Sequence, residues 1–325
     1  MKFLYFLEGL RNPVCDFLFS LITLLGSETA FLAIGIFVFW CVGKRRGYYV
    51  LISGLLGTII NQFLKLICRV PRPWVKDPEF TIVESAREEA TGYSFPSGHT
   101  QNSASTFGAL AVTSKSRAVR IALAVGIVLV GFSRNYLGVH TLQDVLVSLA
   151  IAALLLAVLY PCFKTEESFR KTMPYLIGVS AVLSLGFAIY ANTLSPEGLD
   201  PHNYESAKKN AATLLGCFFG LAIVYPIDTK FTDFKTDAKW YAQIIKLILG
   251  LGIVLGLKAG LKVPLELLVG IFTDEPAIIA RAIRYFLIVL FAGLVWPLTF
   301  SWFSRLSIPP LDRFTERIKE RCAKN

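Results

Sequence analysis

Long apolar runs separated by short polar breaks dominate the chain. Nine of them, at 27–42, 48–67, 98–113, 119–137, 141–163, 173–190, 211–227, 240–257 and 277–303, are long enough or nearly so to cross ~30 Å of hydrocarbon as helices. The run at 98–113 differs from the rest: it carries Thr100, Gln101, Asn102, Ser103, Ser105 and Thr106. Such polarity is costly against lipid, so this helix is expected inside the bundle with one face on a protein interior or a wet cavity. Ala104 and Gly108 would let its neighbours approach closely. Ahead of the first run, 2–10 and 13–25 are apolar but broken by Arg11, Asn12 and Pro13, which favours two interfacial helices leading into the first crossing over a single long span. Pro297 predicts a kink in the last run.

Composition turns this pattern into a fold class. Hydrophobic residues make up 54% of the chain and charged residues 17%, against about 25% charged in an ordinary soluble domain. The mean hydropathy is +0.57. The expectation is an all-α integral membrane protein, a bundle of about nine transmembrane helices. A net charge of +10 does not point to nucleic acid, because the basic residues sit mostly in short links between apolar runs. The links holding Lys44 to Arg46, Lys115 to Arg120, Lys164 to Lys171 and Lys230 to Lys239, with the tail after Arg305, alternate with the other loops. The positive-inside rule places them in the cytoplasm, with the N-terminus and the 92–100 stretch outside. The margin is modest, since Arg69, Arg72, Lys76, Arg87, Arg134, Arg281 and Arg284 fall on the opposite side. The tail itself reads as a basic helix on the anionic leaflet. No cleavable signal peptide is expected at the N-terminus. Cys15, Cys41, Cys68, Cys162, Cys217 and Cys322 are scattered without a CxxC pair and read as small hydrophobes, with no disulfide framework or zinc site.

Chemistry concentrates between the apolar runs. In the stretch GYSFPSGHT, Pro96 disfavours helix at Phe95, and the Ser97 hydroxyl is placed to cap a helix beginning near Gly98. That turn would present free N–H groups and His99 at a positive helix terminus, a setting that attracts phosphate. Alone, the same residues describe a capped turn with a structural histidine. Upstream, Lys65, Arg69 and Arg72 are spaced four and three apart, and Pro71 and Pro73 end the helix and hold Arg72 extended. A snorkelling basic rim is the ordinary alternative. Downstream, Ser133, Arg134, His140 and Asp144 close one span and open the next. His140 and Asp144 are four apart, so carboxylate and ring can meet, and Gly138 supplies a sharp turn between the two spans. Two crossings separate this group from His99, which puts both on one membrane face. The 75–93 loop, with Glu79, Glu84, Glu88 and Glu89 among Lys76 and Arg87, reads as solvated and lid-like. His202 reads as a surface histidine.

Lys65 with Arg72-Pro73, Pro96-Ser97-Gly98-His99, and Ser133-Arg134 with His140 and Asp144 together resemble the signature of the type-2 phosphatidic acid phosphatase family, KxxxxxxRP, PSGH and SRxxxxxHxxxD. The resemblance covers about 51–158, a third of the chain. With the pattern of apolar runs it gives a phosphatase core at 27–163, between the interfacial helices read at 1–26 and the additional spans read at 164–304, with the basic tail at 305–325. It implies that Lys65, Arg72, Ser97, Gly98 and Arg134 bind phosphate. His140 is the implied nucleophile, Asp144 its orienting carboxylate and His99 the acid for the leaving group. No carboxylate cluster suggests a divalent ion, so neither metal nor other cofactor is expected. The implied substrate is a lipid phosphate monoester or isoprenoid pyrophosphate, met on the extracytoplasmic side, in the plasma membrane of a bacterium. A soluble sugar phosphate, as in glucose-6-phosphatase, is the alternative within the enzyme class. A lipid transporter or binding protein retaining an anion site is the alternative outside it, weakened by the lack of an internal repeat. Neither nucleic acid nor any particular oligomer is implied.

Overall fold

The computed structural model describes residues 1–273 and 275–323; Asp274, the last two residues of the tail and the side chains of residues 319–323 lie outside it. Among the described residues every regular element is helical. Helices α1 (Lys2–Glu8) and α2 (Pro13–Thr23) are separated at the break read from sequence, where Asn12 Oδ1 accepts from Cys15 N at 3.0 Å and Pro13 opens the helix. After a tight turn at Leu24–Gly26, Ser27 caps α3 (Glu28–Phe37), which widens into a π-turn at Val38–Val42. The α2 and α3 segments are bent by 52° and together match the length and composition of one span. The expectation of two purely interfacial helices ahead of the first crossing therefore takes in only α1 cleanly.

Helix α4 (Lys44–Cys68) is the most deeply buried long helix of the amino-terminal half. It ends where Arg69 takes a left-handed conformation, before either proline, and the one-turn helix α5 (Pro73–Lys76) follows. Helix α6 (Gly98–Thr113) starts at Ser97, whose Oγ accepts from Thr100 N. It packs against α4, α7 (Arg117–Tyr136) and α8 (Leu142–Lys164), and its polar residues Thr100, Gln101, Ser103, Ser105 and Thr106 are buried, as the cost of lipid exposure requires. The close approach depends on small residues on both partners. A Cβ on Gly57 of α4 would lie 2.6 Å from Gln101 Nε2, and one on Gly108 would lie 2.5 Å from Leu156 of α8.

The carboxyl-terminal half adds α9 (Glu166–Thr193), α10 (Pro201–Ile227), α11 (Trp240–Gly260), the short α12 (Lys262–Val269) and α13 (Pro276–Leu290). Helix α10 is central, packing on α9, α13 and α4. The irregularity expected at Pro297 begins before it, as a π-turn at Phe291–Val295 and a tighter turn at Trp296–Thr299 leading to α14 (Phe300–Arg305). Helix α15 (Pro309–Ala323) docks on the start of α11, where Asp312 accepts from Lys239 Nζ and Tyr241 Oη, each at 2.8 Å. On that same side Lys44 Nζ reaches Asp228 at 2.8 Å and joins the two halves. Among the described residues seven helical segments are long and apolar enough to cross a membrane, and the bent α2–α3 pair makes an eighth. Of the nine stretches read from sequence, α6 is the one that falls short of that standard, at 16 residues.

Candidate active site

Four segments converge at one end of the bundle. Lys65 sits in the last turn of α4, and the left-handed Arg69 turns the chain so that Arg72 is extended, with Pro73 opening α5. Both cations reach the returning loop. Lys65 Nζ donates to Tyr93 O. Arg72 donates through Nε to Gly92 O at 3.0 Å and through Nη2 to Thr91 O at 2.7 Å. Its Nη1 donates to Val139 O and to His140 Nε2, both at 2.9 Å. Arg69 does not join them: its Nε donates to Leu66 O in its own helix end. The 75–93 loop is not the solvated lid expected. Phe80, Ile82, Ala86 and Ala90 are buried in a satellite core with Leu4, Tyr136, Leu137 and Val139. Arg11 Nη1 ties it further through Thr81 O at 2.8 Å.

The α7–α8 turn carries the histidine–carboxylate pair. Gly138, at φ +82°, takes a conformation that L side chains resist, and an added Cβ would lie 2.6 Å from Arg11 Nη2. The turn places His140 Nδ1 3.4 Å from Asp144 Oδ2. Asp144 is fixed independently, since Oδ2 also accepts from Ser94 Oγ at 2.7 Å and from Thr141 N at 2.8 Å in a capping box. Arg72 can only donate, so His140 Nε2 is the acceptor and Nδ1 carries the proton toward Asp144. Burial first, and then the Arg72 cation, hold the His140 imidazole well below its ordinary value, so the ring is neutral at pH 7 with its lone pair on Nε2.

His99 stands at the positive end of α6 and its Nε2 lies 2.9 Å from Glu89 Oε2. That bond, ahead of any other influence, holds the Glu89 carboxyl below the usual carboxylate range. The Cβ position of Gly98 is open, its nearest neighbour being Asn61 Oδ1 at 4.0 Å. Arg134 is completely buried; Nη1 donates to Thr23 Oγ1 at 2.7 Å, while Nε and Nη2 have no partner among the described residues.

A cavity of about 260 Å³ opens between these segments, lined by Lys65, Arg72, Gly98, His99 and His140 together with Glu89. Five of the eight residues singled out from sequence therefore meet at one space. Ser97, Arg134 and Asp144 stand behind its wall, buried, the serine engaged in capping and the aspartate in holding His140. Sequence reasoning did not single out Glu89, and nothing in its spacing marks it above Glu84 or Glu88. The far wall is polar too, with Glu28 of α3, Asn61 and Gln62 of α4 and Asn210 of α10. Among the described residues no group of three or more His, Cys, Asp or Glu side chains is placed to hold a metal ion.

The PAP2 superfamily model matches residues 46–168, a range that contains all eight residues singled out from sequence. Undecaprenyl-diphosphatase BcrC of Bacillus subtilis (strain 168) is 30% identical over 151 residues, which cover 45% of this chain and 73% of that protein. The chain belongs to the PAP2 superfamily. A second model, the transmembrane extension of PAP2 superfamily phosphatases, matches residues 212–307, from within α10 to just past α14. Sphingosine-1-phosphate phosphatase 1 of Mus musculus is 26% identical over 223 residues, 66% of this chain and 49% of that protein, so the chain spans about half that relative's length. Phosphatidylglycerophosphatase B of Bacillus subtilis (strain 168) is 29% identical over 128 residues, 37% of this chain and 62% of that protein. No solved structure matches the chain. Glu28 and Asn210 lie outside both PAP2 matches yet line the cavity.

Proposed function

We propose that this PAP2 protein hydrolyses a lipid phosphate monoester or an isoprenoid pyrophosphate on the extracytoplasmic side of its membrane, through a phosphohistidine at His140. The observation that carries the reading is the state of His140: neutral, with its Nδ1–H directed at a fixed carboxylate and its Nε2 lone pair beside the Arg72 guanidinium at a cation-lined cavity. When a phosphate enters, the Arg72 Nη1–H now on Nε2 turns to a phosphate oxygen and frees the lone pair. Lys65 and the amino end of α6 at Gly98 supply the remaining donors, and Arg134, whose Nε and Nη2 have no partner among the described residues, adds positive charge from behind the wall. Charge on five-coordinate phosphorus is then stabilised by fixed cations, the dominant contribution in phosphoryl transfer.

Nε2 attacks phosphorus in line, the bond to the leaving oxygen breaks, and His99 protonates that oxygen. Asp144 stabilises the positive charge gained by His140. Water, deprotonated by His99, next attacks the phosphohistidine and releases inorganic phosphate. The named substrates of relatives, sphingosine 1-phosphate and undecaprenyl diphosphate, support a lipid as the phosphate carrier. Because the cation set can itself offset the charge on phosphorus, the reaction needs no metal.

Purified protein assayed in EDTA against a panel of these lipids, phosphatidic acid and glucose 6-phosphate should release phosphate from a lipid. His140→Ala should lower the rate by roughly a thousandfold or more. Absence of release from every lipid, with lipid binding retained, would sink the enzyme reading in favour of a binding protein or transporter. Release from glucose 6-phosphate alone would move the substrate to the soluble class.

A further inference from the structure

The catalytic cavity does not end at its polar wall. An almost wholly apolar groove of about 160 Å³ lies between α3 and α4 on one side and α10, α11 and α13 on the other, and Thr29 lines both spaces. Three helices line both spaces in succession. On α4, Lys65, Gln62 and Thr58 face the polar cavity, and Leu55, Leu51 and Tyr48 face the groove. These positions are spaced three or four apart, so they form a single stripe that changes from polar to apolar along ~25 Å of helix. Helix α3 repeats the change, from Ser27 and Glu28 at the cavity to Leu32 and Ile36 in the groove. Helix α10 does so from Asn210 to Cys217, Leu221 and Val224, at intervals of seven, four and three. The opposite wall comes from the extension alone, with Leu251 and Val254 of α11 and Ile288 of α13.

We infer that this groove seats the hydrocarbon chain of the substrate while its phosphate occupies the His140 cavity. The inference rests on the phosphatase reading and adds where the rest of the substrate lies. A track with its ionic cluster in the His140 cavity and a groove lined by apolar side chains, apart from Thr29, Lys258 and the tyrosines Tyr48 and Tyr285, matches an amphiphile whose one ionic group heads a long chain. A space of about 160 Å³ holds one hydrocarbon chain and not two, so the occupant is a single-chain or prenyl phosphate. The extension thereby forms half of a chain-binding subsite, and α10 contributes to both ends of it.

The test compares a long-chain alkyl phosphate with p-nitrophenyl phosphate, which has no chain, on full-length protein in phosphatidylcholine nanodiscs. The readout is the ratio of the two kcat/KM values within one preparation, so any loss of folded protein cancels. Ala33→Leu and Ala292→Leu narrow the groove from opposite walls and touch nothing in the His140 cavity. Each should lower the ratio about tenfold, the effect of failing to bury roughly two methylenes. Leu251→Ala, which widens the groove, should shift the ratio toward longer chains. Ratios unchanged within twofold in all three variants would overturn the groove assignment while leaving the phosphatase standing. If the unmodified protein hydrolyses neither compound, the reading of the His140 cavity is what fails.

Discussion

Arg72 shows how one side chain serves as both scaffold and charge. Its guanidinium spans the backbone carbonyls of Thr91, Gly92 and Val139 and still meets His140, so the loop before α6 and the turn before α8 are held in register by the cation that would bind phosphate. Glu89 plays the corresponding part for His99. It acts through the histidine rather than on substrate, so Glu89→Gln should lower kcat about tenfold with KM nearly unchanged, whereas His99→Ala should cost on the order of 10²–10⁴. The pH dependence has a definite sign. The Glu89 carboxyl is held below its ordinary value by the bond to His99, so the contact is complete above about pH 4.3 and is lost as pH falls through the lowered value. Steady-state rates across the acid range should show that loss in the parent and not in Glu89→Gln; identical acid limbs in both proteins would remove Glu89 from the account. The lysine, arginines, histidines and aspartate of the site were legible because they are few and fall at the ends of apolar runs. Glu89 was not, because its partner is chosen by a loop fold that local spacing does not encode.

Elements tell a similar story. The Ser97 cap, the extended Arg72 and the burial of the polar α6 all follow from local rules, and the structure contains each of them. The 75–93 loop was misread because its charges mask the apolar Phe80, Ile82, Ala86 and Ala90, which find a core only when α1 and the α7–α8 turn are brought against them. How the extension meets the rest was also beyond sequence, since it depends on helix contacts across the bundle. Within the extension, α10 meets α13 so closely that a Cβ on Gly216 would lie 2.2 Å from the Ala282 carbonyl oxygen. Backbone cannot yield there as a flexible side chain can. Gly216→Ala should therefore destabilise the protein by roughly 1–3 kcal/mol, read as a lower melting temperature in detergent. Gly252→Ala on α11, with nothing within 4 Å of the new methyl group, should leave the melting temperature unchanged or raise it.

On the scale of the whole molecule, the site and its loop lie at one end of the bundle, and the Lys44–Asp228 bridge with the docked α15 at the other. The orientation proposed above puts the second end in the cytoplasm. A cysteine in place of the exposed Glu84 should then react in intact cells with a thiol reagent that cannot cross the membrane. Cys68 is itself exposed at the site end of α4, so the experiment requires a Cys68→Ser background. Protection of the new cysteine until the cells are permeabilised would reverse the orientation.

The account turns on His140 as the nucleophile. The most direct measurement mixes the enzyme with a lipid substrate labelled in its phosphate, quenches in alkali, where phosphohistidine survives, and maps the label by mass spectrometry of peptides. The label should sit on His140, be absent from His140→Ala, and accumulate in His99→Ala with a substrate whose leaving group needs no proton. Label on His99 instead, or phosphate release by the unmodified enzyme with no labelled peptide at any time during turnover, would contradict it.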